Sequence, residues 1–287
     1  MTNPIGVSTF VWASPFSDEN VLPLARRARD LGFDVLEVCI EDPSLVTIAA
    51  LQSAADDTGA SLSVCGAFGL DRDVSHETAE GRTAGVSYLK TCVDIAAAVG
   101  SPHVAGPMYS ATGKARLLPA AEREQQRRWA VESLQEVADY AGERGVALAI
   151  EPLNRFETDL VNTVDQGLEL CDRIGRANVG LLLDTFHMNI EEKSIADALR
   201  AARDRVFHVH TCENDRGTPG SGHVAWDEVF AALADIGYAR QLVIESFTPE
   251  IQEIARAVSM WRPLAASQDD LARDGLAFLQ GRRGGPS

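Results

Sequence analysis

Short β-rich segments alternate with longer amphipathic segments along nearly the whole chain, and no other feature restricts the fold as strongly. Eight units of strand followed by helix, each about 30 residues long, are typical of a parallel barrel. Helical patterns at 20–31 and 83–99 show the spacing clearly, and Gly32 and Gly100 end them. The predicted strands span residues 5–11, 35–40, 61–67, 103–106, 146–151, 179–184, 206–210 and 242–245. We therefore predict an α/β fold of the (β/α)₈ TIM barrel class.

The chain is expected to form one domain. Its 287 residues are a usual length for a single (β/α)₈ barrel, and no Pro/Ser-rich linker divides them. We predict one barrel domain over residues 1–280 and a disordered tail over residues 281–287. A doubly wound open sheet is the structural alternative. No GxGxxG motif follows the first predicted strand, which disfavours the dinucleotide-binding form of that alternative.

Charge and composition argue against several classes of protein. The formal net charge is −16, so the surface repels nucleic-acid phosphate and anionic lipid, and neither is an expected partner. No run of about 18 apolar residues occurs, and the amino terminus lacks the pattern of a signal peptide. Five scattered cysteines form no CxxC motif, which indicates a reducing compartment. The expected location is therefore the cytoplasm.

Polar side chains end the last four predicted strands: Glu151, Asp184, His210 and Glu245. Because the active site of a parallel barrel lies at the carboxyl ends of its strands, we expect these side chains to share one mouth. Three carboxylates crowded in a poorly solvated pocket repel each other and take up protons unless a cation lies among them. Oxygen ligands with one imidazole and no thiolate suit Mn²⁺, Mg²⁺ or Co²⁺ better than a structural Zn²⁺. The ordinary role of any one of these carboxylates is a helix cap or a salt bridge, but four together favour a metal site.

Several segments carry a more specific pattern: EPLNRFETDLVNT, LDTFHMNIEE, HVHTCENDRGTPGSGHVAWDEVF and the late SMWRPL. Through them the chain resembles the D-tagatose/D-allulose 3-epimerases, which are ketose 3-epimerases of the xylose isomerase-like TIM barrel superfamily. The resemblance covers nearly the whole chain. It implies one divalent metal ion, with Mn²⁺ expected first and Co²⁺ or Mg²⁺ as alternatives, and a homodimer or homotetramer. It also implies that the metal ligands are Glu151, Asp184, His210 and Glu245, and that the substrate contacts are Glu157, His187 and Arg216.

The three substrate-contact positions also have ordinary interpretations. Glu157 lies in a loop over the barrel mouth and can bond a sugar hydroxyl, or it is simply an exposed loop carboxylate. His187 lies three residues after Asp184 and can donate to a carbonyl or alkoxide oxygen, or it is a structural histidine bonded to backbone. Arg216 follows the seventh predicted strand and can hold two adjacent oxygens, or it is a surface charge.

We expect the enzyme to epimerise a free ketose, a small-molecule sugar, at C3. Inversion beside a ketone needs one base to remove a proton and another to return one from the opposite face, with an enediolate between. Glu151 and Glu245 end the fifth and eighth predicted strands, and they are the expected catalytic residues. A bound metal would stabilise the enediolate charge by several kcal/mol. His187, Glu157 and Arg216 would orient the O1–O3 edge of the sugar.

Other activities on the same metal site stay open. An aldose–ketose isomerase, a keto-polyol dehydratase and a 3-keto-glycoside lyase share the metal and differ in where protons go. A non-catalytic sugar-binding protein is the alternative outside the enzymes. A Schiff-base aldolase is disfavoured because Lys90, Lys114 and Lys193 all lie in predicted helices or loops. A metal-dependent DNA-repair nuclease is disfavoured by the acidic charge and the small number of histidines.

Some residues around the expected site are less informative. The glycine-rich segment RGTPGSGH lacks the Lys and Ser/Thr of a phosphate loop, so we expect it to be a turn that covers the substrate. Trp12 and Phe247 are candidates for a sugar-facing wall or for core packing. His208 is expected to point away from the mouth, towards the helices. Ser246 stands where the resemblance leads us to expect a proline.

Overall fold

In the computed structural model, which describes residues 3–282, eight parallel strands close into a barrel. Neighbours in the chain are neighbours in the barrel, and the last strand pairs with the first, so that Ile5 lies opposite Leu242. The strands are β1 (Ile5–Ser8), β2 (Val35–Ile40), β3 (Ser61–Gly66), β4 (His103–Gly106), β5 (Ala147–Ile150), β6 (Val179–Asp184), β7 (Val206–His210) and β8 (Leu242–Ile244). The predicted (β/α)₈ TIM barrel is confirmed.

Helices surround the barrel and connect consecutive strands. They are α1 (Asp18–Leu31), α2 (Ile48–Thr58), α3 (Ala79–Val99), α4 (Ala120–Gly142), α5 (Val164–Ile174), α6 (Thr185–Glu191), α7 (Ile195–Ala202), α8 (Trp226–Asp235), α9 (Gln252–Ala257) and α10 (Gln268–Arg282). Short 3₁₀ turns occupy Thr9–Val11, Pro43–Leu45 and Arg203–Arg205. Two helices, α6 and α7, separate β6 from β7. Helix α10 packs against both β1 and β8 and covers the seam where the barrel closes.

Local capping interactions set the helix ends that the sequence indicates. At the start of α5, the side chain of Thr163 accepts from the N–H of Gln166, whose own side chain accepts from the N–H of Thr163. Gly32 ends α1 with a φ of 103° and Gly100 ends α3 with a φ of 72°, a left-handed conformation that favours glycine.

Strand ends differ from the sequence-based prediction by at most a few residues, and the first strand shows the largest error. It ends at Ser8 rather than at Val11, because Ser8 Oγ accepts a hydrogen bond from the N–H of Phe10 and begins a 3₁₀ turn. Glu151 and Glu245 each lie one residue beyond the strand that they were predicted to end. Both therefore belong to the loops at the barrel mouth.

Two apolar layers form the core, one on each side of the sheet. The outer layer lies between strands and helices and includes Val7, Val38 and Leu183. The inner layer lies within the barrel and includes several small side chains, Cys39, Cys65, Ala105 and Ala149 among them. Small inner side chains leave room for buried polar groups below the mouth.

Gly180 on β6 is required by close packing against the segment that enters β7. A Cβ atom at this position would lie 2.6 Å from the carbonyl oxygen of Arg205 and 2.6 Å from Cγ of Phe207. We expect Gly180→Ala to lower the free energy of unfolding by about 1–3 kcal/mol, as measured by chemical denaturation. Gly142→Ala is the matched control, because a Cβ there meets no described atom closer than 3.5 Å and lies in a helix. Equal stability of Gly180→Ala and the wild type would contradict this packing.

The ends of the described region bear on two further expectations. Helix α10 continues to Arg282, two residues beyond the predicted end of the barrel domain. The rest of the predicted tail, residues 283–287, lies outside the described residues. Over residues 3–282, no helix has both the length and the apolar character needed to cross a membrane.

Candidate active site

Four of the predicted side chains converge at the carboxyl end of the barrel. Glu151, Asp184, His210 and Glu245 are buried, and one possible ligand atom from each lies within 4.8 Å of those of the other three. His210 Nδ1 is 4.0 Å from Glu151 Oε1, 3.9 Å from Asp184 Oδ2 and 3.6 Å from Glu245 Oε2. Atoms at such spacings surround a volume of the size of one ion.

Local hydrogen bonds hold the side chain of Asp184 and the backbone of Glu151 at the mouth. Asp184 is the N-cap of α6, and its Oδ1 accepts from the N–H of Phe186 at 2.7 Å. Its other oxygen, Oδ2, faces the cluster, so the ordinary role of helix cap and the role in the site use different oxygens. The N–H of Glu151 donates to the carbonyl of Gly106 at 3.1 Å and extends the β4–β5 pairing to the mouth.

His210 presents an unpartnered nitrogen to the three carboxylates. Its Nε2–H donates to Glu37 Oε1 at 2.8 Å. Its Nδ1 is buried and has no hydrogen-bond partner among residues 3–282. Burial lowers the pKa of His210, but the charges of Glu37 and Glu245 outweigh it and raise that pKa well above its ordinary value. Without a cation, the nitrogen that faces the carboxylates therefore takes up a proton, and a bound cation would replace that proton and meet the lone pair of Nδ1.

Burial and mutual repulsion perturb the carboxyl groups in different directions. Burial raises the pKa of Glu151 well above its ordinary value, and the charge of Glu245 raises that pKa further. Burial also raises the pKa of Asp184, although the guanidinium of Arg216 opposes the rise. Burial acts on Glu245 in the same sense, but the positive charges of His210 and Arg216 outweigh it and lower the pKa of Glu245. The raised pKa values of Glu151 and Asp184 follow first from burial and then from repulsion by neighbouring carboxylates, and a bound cation would offset both.

The donor set fits a divalent cation. Three carboxylates and one imidazole without a thiolate form an oxygen-rich set of the kind that Mn²⁺, Co²⁺ and Mg²⁺ accept. A cation at the centre would bind the lone pair of His210 Nδ1 and would remove the repulsion between the carboxylates. The roles of these residues as ligands stay a prediction.

His187 and Glu157 lie beside this cluster and share one partner, Asn154. The backbone N–H of Asn154 donates to His187 Nδ1 at 3.1 Å. Burial lowers the pKa of His187 well below its ordinary value, and Arg216 lowers it further, so the ring is neutral near pH 7. The Nδ2 amide group of Asn154 donates to Glu157 Oε1 at 2.7 Å, and burial raises the pKa of Glu157.

Arg216 is buried at the site rather than on the surface. Its Nη1 donates to Asp184 Oδ2 at 2.7 Å and to Glu245 Oε2 at 2.6 Å, and its Nη2 lies 3.1 Å from His187 Nε2. The φ of Arg216 is 68°, a left-handed conformation that is uncommon outside glycine. Ser246 Oγ–H donates to the carbonyl of Arg216 at 2.7 Å. Ser246, which stands where the resemblance suggested a proline, therefore stabilises the left-handed backbone of Arg216 through this hydrogen bond.

Five of the side chains described above line a cavity of about 410 Å³ at the barrel mouth. Its polar lining at one end comprises Glu151, Glu157, His187, Arg216 and Glu245. The remaining walls are largely apolar and include Phe10, Ala67, Phe68, Pro107, Leu153, Phe156, Phe247, Ile254, Ala257 and Val258. The cavity thus combines one polar end with an extended apolar wall.

The structure corrects the expectation for the glycine-rich segment and separates the alternatives that were left open for Trp12 and Phe247. Of the glycine-rich segment RGTPGSGH, only Arg216 lines the described cavity, so the segment does not cover the substrate position. Glu213 instead folds the loop back, because its side chain accepts from the N–H groups of Gly220 and Val224 and from the indole of Trp226. Phe247 lines the cavity, whereas the indole of Trp12 donates to Asp269 of α10 at 3.0 Å.

The expected orientation of His208 is wrong. His208 Nε2–H donates to Glu37 Oε2 at 2.7 Å inside the barrel, and the same carboxylate accepts from His210. Residues two positions apart on a strand point to the same side, so His208 and His210 share the interior face. Helices lie on the other face of the sheet.

Two polar residues near the cluster were missed in the sequence. Glu37 is a charged residue in the middle of the apolar strand segment VLEVCI, and an unexplained charge of this kind is a usable signal. Asn154 lies within the NRFE segment, but nothing in the sequence alone indicates that it joins His187 to Glu157.

The chain is similar to known sugar epimerases over nearly its full length. A family model described as xylose isomerase-like TIM barrel matches residues 25–281. The chain is 35% identical to a probable ketose 3-epimerase of Synechocystis sp., over 96% of this chain and 95% of that protein. It is 34% identical to an L-ribulose 3-epimerase of Mesorhizobium japonicum, over 96% of this chain and 92% of that protein.

A solved structure agrees with the sequence comparison. The crystal structure of a D-allulose 3-epimerase from Methylomonas sp. in complex with D-allulose superposes with a TM-score of 0.92 and 32% identity. The superposition covers 98% of this chain and 97% of that one. The chain therefore belongs to the ketose 3-epimerases of the xylose isomerase-like TIM barrel family, and it is an enzyme of the isomerase class.

Proposed function

We propose that this enzyme epimerises a free ketose at C3 by removing a proton and returning one through an enediolate. One observation carries the proposal. Two carboxylates, Glu151 and Glu245, approach within 4.8 Å of each other at the polar end of a cavity of about 410 Å³. The relatives named as ketose 3-epimerases support the same reaction.

Glu151, Asp184, His210 and Glu245 would hold one divalent metal ion, with Mn²⁺ proposed first and Co²⁺ or Mg²⁺ as alternatives. Such an ion supplies positive charge that stabilises an enediolate by several kcal/mol. The chemistry of the donor set and the unpartnered Nδ1 of His210 support this assignment.

The two proposed bases follow strands that are not neighbours in the barrel. Glu151 follows β5 and Glu245 follows β8, and these strands are not neighbours in the closed barrel. A sugar lying between them would expose one face of C3 to each carboxylate. One carboxylate would remove the C3 proton and the other would deliver a proton to the opposite face, so the configuration at C3 inverts.

His187, Arg216 and Glu157 would orient the O1–O3 edge of the sugar. The imidazole of His187 and the guanidinium of Arg216 lie 3.1 Å apart, and together they would bind a sugar oxygen that carries negative charge in the enediolate. Glu157 is held by Asn154 and would accept a hydrogen bond from a hydroxyl group.

Incubation in D₂O with a panel of free ketoses tests this reaction. We expect the metal-loaded enzyme to convert a ketose into its C3 epimer and to leave deuterium at C3, as read by NMR of the sugar. An aldose product with deuterium at C2 would instead identify an aldose–ketose isomerase, and loss of water would identify a dehydratase. A sugar that binds but gives neither product nor deuterium exchange would favour a binding protein.

We also propose a cytoplasmic location and a homodimer or homotetramer. All five cysteines are buried and unpaired in the described chain, which supports a reducing compartment. The oligomeric state rests only on the resemblance to the family.

A further inference from the structure

Glu37 is a completely buried carboxylate inside the barrel, directly below the four clustered side chains of the mouth. Its Oε1 accepts from His210 Nε2 at 2.8 Å, and its Oε2 accepts from His208 Nε2 at 2.7 Å. Strands β2 and β7 are not neighbours, so Glu37 reaches across the barrel interior to meet both rings. Since an ionised carboxylate only accepts hydrogen bonds, each ring must donate from Nε2.

The contact with Glu37 decides which nitrogen of His210 is held in a hydrogen bond and which one faces the mouth. Three carboxylate oxygens lie 3.6 to 4.0 Å from His210 Nδ1, and their charges attract a proton to that nitrogen. Glu37 opposes them, because it lies within hydrogen-bonding distance of Nε2, whereas the other three oxygens are too far from Nδ1 for good hydrogen bonds. Glu37 therefore holds the Nε2–H group of His210, and Nδ1 is the nitrogen left to meet a cation.

His208 fixes Glu37 in turn. It occupies the second carboxylate oxygen, and its ring meets that of His210 edge to face, with centroids 5.0 Å apart. With both oxygens bonded, the carboxylate cannot rotate away from His210 without losing two hydrogen bonds in a site closed to water.

We propose that Glu37 is a positioning residue of the metal centre, which orients His210 and keeps its Nδ1 available as a ligand. The inference rests on the proposed metal site and goes beyond it, because Glu37 touches neither the proposed metal position nor the sugar cavity. Carboxylates that bind the far nitrogen of a ligating histidine commonly change metal affinity by 10–100-fold when they are replaced.

Metal affinity of the Glu37→Gln enzyme tests the proposal. We expect the Kd for Mn²⁺, measured by titration calorimetry, to rise by about 10–100-fold. Glu213→Gln is the matched control, because Glu213 is equally buried and hydrogen-bonded but contacts the β7–α8 loop instead of His210. Its Kd for Mn²⁺ should equal that of the wild type. An unchanged Kd in a folded Glu37→Gln enzyme would overturn the role of Glu37, whereas a wild type that binds no divalent metal would overturn the proposed metal site itself.

A measurement on the wild type keeps the proposal falsifiable if Glu37→Gln does not fold. The chain has six histidines, so NMR of ¹⁵N-histidine-labelled, metal-free protein can resolve each ring, with His210→Gln assigning the signal. We expect His210 to carry a slowly exchanging proton on Nε2. A His210 ring with its proton on Nδ1 alone would show that Glu37 does not set the tautomer.

Discussion

Replacing Glu245 with glutamine should lower turnover by at least about 10²-fold, the usual scale for losing a general base. The substitution keeps the size of the side chain and one oxygen, but it removes the negative charge that Arg216 and His210 stabilise. Binding of the sugar should weaken much less, provided that metal stays bound. Steady-state kinetics and metal analysis of the same sample measure both effects.

Two further variants separate the role of base from other roles. Glu250→Gln alters an exposed carboxylate in the loop that follows β8 and should leave turnover unchanged. His187→Ala should damage sugar binding and turnover together, because it removes an orienting donor and leaves both carboxylates in place. Near-normal turnover and C3 deuterium exchange in a metal-replete Glu245→Gln enzyme would mean that the two-base mechanism must be abandoned.

Removing metal with a chelator should abolish turnover almost completely, by at least about 10³-fold. The estimate follows from several kcal/mol of lost charge stabilisation, at about 1.4 kcal/mol for each factor of ten in rate. The protein should nevertheless stay folded, because Arg216 already places one positive charge between Asp184 and Glu245. Circular dichroism should therefore change little while activity is lost, and added Mn²⁺ should restore turnover.

The Asp184→Asn variant controls for effects of the chelator that do not involve the metal site. The substitution removes one proposed charged ligand and keeps the side-chain oxygen that caps the helix. Mn²⁺ should therefore restore the turnover of this variant poorly at concentrations that suffice for the wild type. Full activity in protein shown by elemental analysis to contain no divalent metal would refute the proposed dependence.

The fold was predictable because its main signal is local. Each strand is a short apolar run, each helix has its own caps, and eight repeats of the unit allow few arrangements other than a barrel. The convergence of Glu151, Asp184, His210 and Glu245 was predictable for the same reason, since strands of a parallel barrel all end on one face. The 3₁₀ turn after Ser8 was missed because it depends on a single side-chain hydrogen bond.

The network around the cluster was less predictable because it joins residues that are distant in sequence. Glu37 lies on β2 and its partners lie on β7, and the sequence does not state which interior side chains meet across a barrel. The orientation of His208 was within reach, because the two-residue period of a strand already places it beside His210. The contact of Ser246 with the backbone of Arg216 depends on a left-handed residue that only the structure shows.

The groups that would handle protons all come from one half of the barrel. The four clustered residues and the proposed sugar contacts lie at or after the ends of strands β5 to β8. The apolar wall comes from both halves, because Phe10, Phe68 and Pro107 follow strands of the first half, whereas Phe156 and Phe247 follow strands of the second. Mutations at the three first-half positions therefore reshape part of the pocket without touching the groups that handle protons. A recombination point between β4 and β5 would exchange that part of the wall and keep the reacting groups, provided that Glu37 is retained.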